Sequence, residues 1–289
     1  MKTKTAPRGA HRARLVKQMR DLGRTYGLRR VFGDFVEMSA IAFSNAVDIA
    51  QKEKREARYL SLIKQYKELE ERQAFPKMVA DLALALEETR EDVLGAIAGD
   101  LEILNKHAGQ FFTPYTLSLF MAKMTMGVND GSLYREQIDE HGFFTACEPA
   151  CGAGGMVIAL SDVCLEAGIN YQQHLHVVAV DIDPLCVHMT YLQCSLLHIP
   201  MIVYRGNSLA GTFDEAWHTP AHVLGFWSHK LHRRGIDAAD ATWWAGNSPA
   251  QRIDLAKAAG IPVRRAMGRK PPREVLARRN ADAQAQAAE

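Results

Sequence analysis

The sequence lacks an uninterrupted apolar run long enough to cross a membrane. Its first thirty residues are polar and basic and do not contain the apolar core of a secretory signal. Cysteine is scarce: the chain has five, an odd number, and none of them stands in a CxxC pair. Disulfides are therefore not expected. We expect a cytoplasmic protein that makes no membrane contact and whose cysteines are buried thiols.

The chain also has little net charge, because basic and acidic residues are segregated along it. Residues 1–75 hold 17 Lys or Arg against 9 acids, and residues 228–289 hold 12 against 6. The stretch between them holds 6 against 18. Two basic arms are typical of a protein that contacts a polyanion, since phosphate contacts supply most non-specific affinity for DNA. The alternative is a pair of solvated tails that only keep the protein soluble.

A glycine-rich segment at residues 148–155 joins two apolar stretches. The stretch before it, residues 142–147, is typical of a strand, and the stretch after it, residues 156–164, is typical of a helix. Glycine lets a ligand approach the backbone of such a turn, and the helix N-terminus presents amide groups and the positive end of its dipole. A tight turn also uses glycine for steric reasons alone, so this segment needs support from elsewhere in the chain.

That support comes from a β-branched run at residues 177–180, which Asp181, Ile182, Asp183 and Pro184 follow. The run predicts a buried parallel strand, and ligands of open α/β sheets bind at the carboxyl ends of such strands. A carboxylate there accepts hydrogen bonds from both hydroxyls of a ribose. Because Pro184 suits the first position of a helix, we assign Asp183 to the helix cap and Asp181 to the ribose.

Two more segments complete the pattern: a short strand at residues 202–205 with a polar turn at 206–209, and an aromatic pair with a proline at 109–114. In this order, the segments 109–114, 148–155, 181–184 and 206–209 resemble one family. It is the modification (methylase) subunit of type I restriction-modification systems, within the S-adenosylmethionine-dependent, adenine-specific DNA methyltransferases. The resemblance covers roughly residues 32–209.

The resemblance implies an α/β fold, with a Rossmann-like methyltransferase sheet that follows a helical N-terminal subdomain. The glycine loop would hold the methionine part of S-adenosyl-L-methionine, Asp181 would bind the ribose, and Asn207 would face the adenine ring. The segment at 109–114 would close over the cofactor from the other side. The cofactor-binding residues that the resemblance implies are Phe111, Thr113, Pro114, Glu148, Pro149, Ala150, Cys151, Gly152, Gly154, Asp181 and Asn207.

One family motif is missing. Amino-methyltransferases carry Asn or Asp, two prolines and an aromatic residue, which accept hydrogen bonds from the target amino group and stack on the flipped base. After Leu209 the nearest sequences are at 247–250, with one proline and no aromatic residue, and at 270–273, without the amide or acid. No catalytic residue is therefore assigned.

Three functions remain open from the sequence. The first is an active DNA adenine methyltransferase with a divergent catalytic segment. The second is a catalytically inactive methylase-like protein that binds cofactor or DNA and acts as a regulator or antirestriction factor. The third is a methyltransferase of another substrate, such as RNA or protein. If the protein is an active DNA adenine methyltransferase, we expect it to belong to a restriction-modification system. Its expected partners are then DNA and a specificity subunit or another subunit of such a system.

The predicted organisation has four parts: a basic flexible arm at 1–30 with a candidate basic helix at 10–22, a helical subdomain at 31–105, the cofactor domain at 106–228 and a basic, mostly helical tail at 229–289. Only three strands are clear in the sequence, and residues 222–227 are a weak fourth. We therefore expect a truncated sheet. The segment around Trp217 and Trp227 is predicted to lie where the target base enters. Four histidines at 218, 222, 229 and 232 have spacings that can chelate zinc, but Pro220 interrupts them, and no metal site is assigned.

Overall fold

The structure is a computed structural model, which describes residue 7 and residues 9–103, 112–127 and 132–234. The chain divides into two compact units, Met1–Lys230 and Leu231–Glu289. None of the described helices is both long and apolar enough to cross a membrane. The helices before the sheet are α1 (Ala10–Tyr26), α2 (Leu28–Asn45), α3 (Ile49–Ile63), α4 (Leu69–Thr89), α5 (Val93–Asp100), α6 (Tyr115–Met126) and α7 (Ser132–His141).

The described part of the chain then forms one sheet with the strand order β1-β2-β3-β4. Helices alternate with its first three strands, as expected for the connections of a parallel sheet. The elements in chain order are β1 (Phe144–Glu148), α8 (Gly155–Glu166), α9 (Tyr171–His174), β2 (Leu175–Asp181), α10 (Pro184–Leu196), β3 (Met201–Asn207), β4 (Thr212–His218), α11 (Pro220–Leu224) and α12 (Trp227–Arg233).

The strands β1, β2 and β3 are parallel, and β4 is antiparallel to β3. Every residue of β2 before Asp181 is buried, which matches its continuous apolar sequence and its central position. Because β1, β2 and β3 point in the same direction, their last residues, Glu148, Asp181 and Asn207, lie at the same edge of the sheet. The α/β class and the three predicted strands are thus confirmed.

The prediction of a fourth strand at residues 222–227 is wrong. The fourth strand is β4, which four residues separate from the end of β3. The predicted segment instead covers the end of α11, Gly225, Phe226 and the first residue of α12. The helix α11 begins here because Thr219 caps it, accepting a hydrogen bond from the backbone N–H of His222, and because Pro220 occupies a first-turn position. The strand β4 was not recognised because its sequence is charged and its burial is only partial, as is usual at a sheet edge.

In the basic arm predicted at residues 1–30, the candidate helix at 10–22 is present and longer than expected, whereas flexibility is the wrong expectation where the chain is described. Residues 10–26 form α1, which buries Leu15 and Met19 completely against the helices that follow. His11 and Arg14 of this helix both contact the carboxylate of Asp81 in α4. Charged residues dominate the sequence of α1, but two well-placed apolar side chains are enough to fix the helix on the core.

The helices and the sheet form one compact unit. Arg55 of α3 donates a hydrogen bond to the carbonyl of Ala216 in β4, and Gln193 of α10 accepts one from the backbone N–H of Leu94 in α5. The predicted boundary at 105/106 falls within residues 104–111, which lie outside the described residues. The predicted tail at 229–289 is likewise described only as far as residue 234.

Candidate cofactor site at the ends of three parallel strands

The glycine loop connects β1 to α8 in a conformation that needs glycine at two positions. Gly152 and Gly154 have φ angles of 55° and 95°, in the left-handed region that L side chains rarely adopt. The loop is also fixed by its backbone, since the N–H of Cys151 donates to the carbonyl of Val180 over 2.9 Å. A Cβ on Gly154 would lie only 3.2 Å from Thr190 Oγ1, and one on Gly152 only 3.1 Å from Phe112 Cδ1.

Asp181 connects the end of β2 to this loop. Its Oδ2 accepts a hydrogen bond from the N–H of Gly152, and its Oδ1 accepts one from the N–H of Asp183, both over 2.9 Å. Burial raises the pKa of Asp181 above its ordinary value, although these two amides oppose the shift. Asp183 caps α10, because its side chain accepts from the N–H of Leu185. The assignment of Asp183 to the cap is confirmed.

Glu148 ends β1 at the beginning of the glycine loop. Its Oε1 accepts a hydrogen bond from the N–H of Ala150 over 3.2 Å, so the side chain folds back onto the loop, where Pro149 and Ala150 are exposed. Burial raises the pKa of Glu148, and the negative charge of Asp181 adds to the shift. Two acidic side chains therefore meet at this edge of the sheet, and such an edge favours a ligand that offers hydroxyl groups or positive charge.

A cavity of about 70 Å³ lies against the glycine loop. Thr113 lines it, together with residues 150–153 of the loop, whereas Pro114 is the N-cap of α6 and Phe111 lies outside the described residues. The aromatic side chain that lines the cavity is Phe112, whose ring lies against Gly152. The sequence prediction named its neighbour and missed it, although the pair of adjacent phenylalanines is visible in the sequence.

Asn207 ends β3 at the same edge, but its side chain also has a local role. Its Oδ1 accepts hydrogen bonds from the N–H groups of Leu209 and Ala210, both over 3.0 Å, and so stabilises the turn into β4. In the sheet Asp181, the last residue of β2, lies opposite Arg205 of β3, so β3 extends two residues further, to Asn207. The amide nitrogen is the part of this side chain left for a ligand.

The sequence analysis missed a buried polar network behind the loop. The Oδ1 atom of Asp92, the N-cap of α5, accepts hydrogen bonds from Gly95 N–H and from Gln193 Nε2, both over 2.8 Å. The same amide group of Gln193 donates to the carbonyl of Ala153 over 2.8 Å. Asp92 and Gln193 are 101 positions apart, so no local pattern could have revealed their contact. Burial raises the pKa of Asp92.

The cysteines are free thiols, and four of them are buried, whereas Cys147 on β1 is exposed, contrary to the prediction. Cys151 lies in the glycine loop and has an exposed fraction of only 6%. Burial raises the pKa of its thiol far above the ordinary value, so the thiolate is not available as a nucleophile. Its place in the loop is structural, with its backbone N–H bound to β2.

The expected base-entry segment is packed into the core. Trp217 and Trp227 have exposed fractions of 2% and 0%. The guanidinium of Arg55 lies over the ring of Trp217, 3.8 Å from its centroid. The two tryptophans therefore cannot stack on an extruded base, and the prediction is wrong for them. Phe226, which lies between them in the sequence, is 75% exposed and lines a separate cavity with Asp48 and His218.

His222, one of the four histidines that lie close together in the sequence, has partners other than a metal ion. His222 Nδ1 lies 2.9 Å from His176 Nε2, and His222 Nε2 lies 2.9 Å from the hydroxyl of Ser228. Burial lowers the pKa of His222 to about 3, so the ring is neutral at ordinary pH. No group of three metal-ligating side chains occurs in the part of the chain that the structure describes.

Much of the basic charge in residues 1–75 is held in ion pairs within the molecule. Pairing with nearby carboxylates reduces the positive potential that these side chains offer to a phosphate backbone. The ion pairs are Arg12–Asp100, Arg14–Asp81, Lys17–Asp21, Arg24–Asp21, Arg30–Asp34, Arg55–Asp48 and Arg58–Glu37. The basic C-terminal arm lies almost entirely outside the described residues.

Comparison with known families bears on this site. Residues 91–225, just under half of the chain, match the family model described as N-6 DNA Methylase. The matched range begins beside Asp92 and includes the glycine loop, Asp181 and all four strands. A search of curated proteins gave no match. The family match supports the predicted resemblance to adenine-specific DNA methylases, and the segment that carries the candidate site is similar to N-6 DNA methylases.

Proposed function

We propose that this protein is an S-adenosyl-L-methionine-dependent DNA adenine methyltransferase of the restriction-modification type, built on a Rossmann-like sheet. The observation that carries the proposal is the hydrogen bond between the N–H of Gly152 and Asp181 Oδ2. It joins the glycine loop to the acid at the end of the next strand, in a segment similar to N-6 DNA methylases. Enzymes of that family generally use S-adenosyl-L-methionine.

The residues at this edge fit that cofactor chemically. Each oxygen of Asp181 has one amide donor and a second lone pair, so the carboxylate can still accept hydrogen bonds from two ribose hydroxyls. Glu148 and Asp181 provide negative charge for a ligand that carries a sulfonium cation. The bare backbone at Gly152 leaves space that any Cβ would fill. The buried hydroxyl of Ser118, at the cavity beside the loop, has no hydrogen-bond partner within the described part of the chain.

When bound, the cofactor supplies an activated methyl group. The residues of this chain would bind it and orient it: Asp181 would accept hydrogen bonds from the ribose, the glycine loop would hold the methionine part, and Phe112 and Thr113 would cover the loop. A large part of the barrier to methyl transfer is removed by such positioning alone. The amine that receives the methyl group must also lose a proton, and none of the residues described at this edge is assigned to that step.

DNA is the proposed substrate and partner, with the basic arms as its contact surface. Because many N-terminal cations are paired internally, we assign the larger share of this role to the C-terminal arm, residues 228–289. A specificity subunit, or another subunit of a restriction-modification system, is the proposed protein partner. The proposed location is the cytoplasm. The prolines of 247–250 and 270–273, nearest to the missing catalytic motif, lie outside the described residues.

The test is transfer of labelled methyl from S-adenosyl-L-methionine to unmethylated duplex DNA, with cofactor binding measured by calorimetry on the same preparation. Asp181→Ala is expected to abolish both signals. Asp139→Ala, which removes an exposed carboxylate on α7, is the matched control and should change neither. Cofactor binding without transfer would favour the catalytically inactive methylase-like protein. Equal cofactor affinity of the wild type and Asp181→Ala would overturn the site assignment.

A further inference from the structure

The carboxylate of Asp92 is buried, with an exposed fraction of 8%, and it has no ion-pair partner among the residues that the structure describes. Its Oδ1 accepts two hydrogen bonds from neutral donors, Gly95 N–H and Gln193 Nε2. Its Oδ2 has no hydrogen-bond donor among the described residues. A buried carboxylate is costly unless a cation or several hydrogen bonds compensate it, so Oδ2 is the atom that a ligand would satisfy.

A second polar atom without a partner lies beside it. Ser118 of α6 is completely buried, and its Oγ makes no hydrogen bond with any residue that the structure describes. Both side chains line the cavity of about 70 Å³ at the glycine loop. Gly155 shows how close they are: a Cβ on that residue would lie 3.4 Å from Asp92 Oδ2 and 3.7 Å from Ser118 Oγ. Two unsatisfied oxygens thus face the first turn of α8.

The chemistry of these two oxygens selects the ligand group. A carboxylate oxygen accepts only, and a hydroxyl oxygen can accept as well, so together they suit a small cation with several N–H donors. The cavity of about 70 Å³ has room for several water-sized groups, so it is large enough for an ammonium group and its carbon.

We propose that Asp92 Oδ2 and Ser118 Oγ bind the α-ammonium group of the methionine part of S-adenosyl-L-methionine. This inference rests on the proposed function. It adds an acid from α5 and a hydroxyl from α6 to a site otherwise built from strand ends. Gln193 is a positioning residue here, because its amide holds both Asp92 Oδ1 and the carbonyl of Ala153 in the loop.

The position of Asp92 is enforced by the glycine three residues later. The N–H of Gly95 donates to Asp92 Oδ1 as a helix cap, and a Cβ on Gly95 would overlap Asp92 Oδ2. Only glycine at that position leaves the carboxylate where it is. A cap alone would also be satisfied by Ser or Asn, so capping does not account for a carboxylate in this buried place.

The experiment uses two ligands that differ by one group: S-adenosylhomocysteine and its analogue that lacks only the α-amino group. Their dissociation constants are measured by calorimetry for the wild-type full chain and for Asp92→Asn. Asparagine keeps an oxygen for Gly95 and Gln193 but removes the negative charge. Loss of a charge-assisted hydrogen bond is worth roughly ten- to hundredfold in affinity. We expect the wild type to prefer S-adenosylhomocysteine by that factor and Asp92→Asn to bind both ligands about equally.

Two further variants complete the design. Ser118→Ala should reduce the preference for the amino ligand several-fold. Glu91→Gln, which neutralises the exposed acid next to Asp92, should leave it unchanged. A wild type that binds both ligands equally would overturn the inference, and so would an Asp92→Asn variant that weakens both by the same factor. If neither ligand binds the wild type, the proposed cofactor is itself wrong, and this inference is overturned with it.

Discussion

The N–H of Gly152 donates a hydrogen bond to Asp181 Oδ2 over 2.9 Å, between residues 29 positions apart. This contact determines the shape of the loop after β1 through a side chain at the end of β2. The left-handed conformation of Gly152 and the acid at the end of β2 are thus parts of one arrangement. Changes at either residue should disturb ligand binding together with the loop.

Asp181 and Asp183 should have separable roles. The N–H groups of Gly152 and Asp183 each donate to a different carboxylate oxygen of Asp181, and Asp181→Asn leaves only one oxygen for both. We therefore expect the affinity of this variant for S-adenosylhomocysteine to fall by roughly tenfold or more. Asp183→Ala removes the cap of α10 and should cost about 1 kcal/mol of unfolding free energy. Its ligand affinity should stay within about twofold of the wild type. Calorimetry and urea unfolding measure the two effects, and similar ligand affinities of the two variants would contradict the assignment.

Gly152→Ala should damage the site more than it damages the fold. A residue with a side chain in the left-handed region costs about 1–2 kcal/mol, and here the new Cβ would also lie 3.1 Å from the ring of Phe112. Gly168→Ala is a matched control, because its φ of 70° imposes a similar strain with nothing within 4 Å. Both variants should lose comparable stability in urea, but only Gly152→Ala should lose ligand binding. Retained binding in Gly152→Ala would show that the ligand does not approach this loop.

Arg55 should contribute strongly to stability and little to binding. Its side chain is 3% exposed, stacks on Trp217, and donates hydrogen bonds to Asp48 and to the carbonyl of Ala216. Removing one member of a buried, hydrogen-bonded ion pair typically costs about 3–5 kcal/mol. We expect Arg55→Ala to lose that much unfolding free energy, measured by urea denaturation. The exposed pair of Arg58 with Glu37 offers the comparison, and Arg58→Ala should cost less than about 1 kcal/mol.

Acid should destabilise the fold through buried histidines. Burial lowers the pKa of His188 from 6.5 to about 4. Between these values the unfolded chain binds a proton that the folded chain does not, so the free energy of unfolding falls as the pH drops from 6.5 towards 4. This one residue accounts for up to about 3 kcal/mol. Urea unfolding of His188→Gln at pH 7 and pH 4.5 should show a smaller loss than the wild type shows.

The exposed His229 provides the control for that experiment. His229→Gln should lose stability with falling pH as the wild type does. The buried carboxyl of Asp92 and the half-buried carboxyls of Glu148 and Asp181 have raised pKa values. Their contribution to stability has the opposite sign, decreasing as the pH rises through the folded-state pKa. The difference between His188→Gln and the wild type isolates the histidine from these groups. Identical pH profiles would show that His188 does not titrate in this way.

The sequence alone determined the features that depend on short-range chemistry. The order of glycine loop, acid and proline, and the β-branched run before them, predicted β1, β2, the capping role of Asp183 and the edge where Asp181 lies. Each of these follows from backbone preferences or from the alternation of strand and helix over about thirty residues. The same local patterns could not decide whether a charged segment packs on the core, and so the ordered packing of α1 and the strand β4 were missed.

The tertiary structure alone decided which distant side chains meet. It brought Asp92, Ser118 and Gln193 to the glycine loop, buried Trp217 under Arg55, and placed Phe112 against Gly152. None of these contacts has a signature in sequence spacing, because their partners are 37 to 162 positions apart and meet only when helices pack on the sheet. Local sequence predicts elements and their ends, whereas the polar groups buried between elements depend on packing, which involves the whole chain at once.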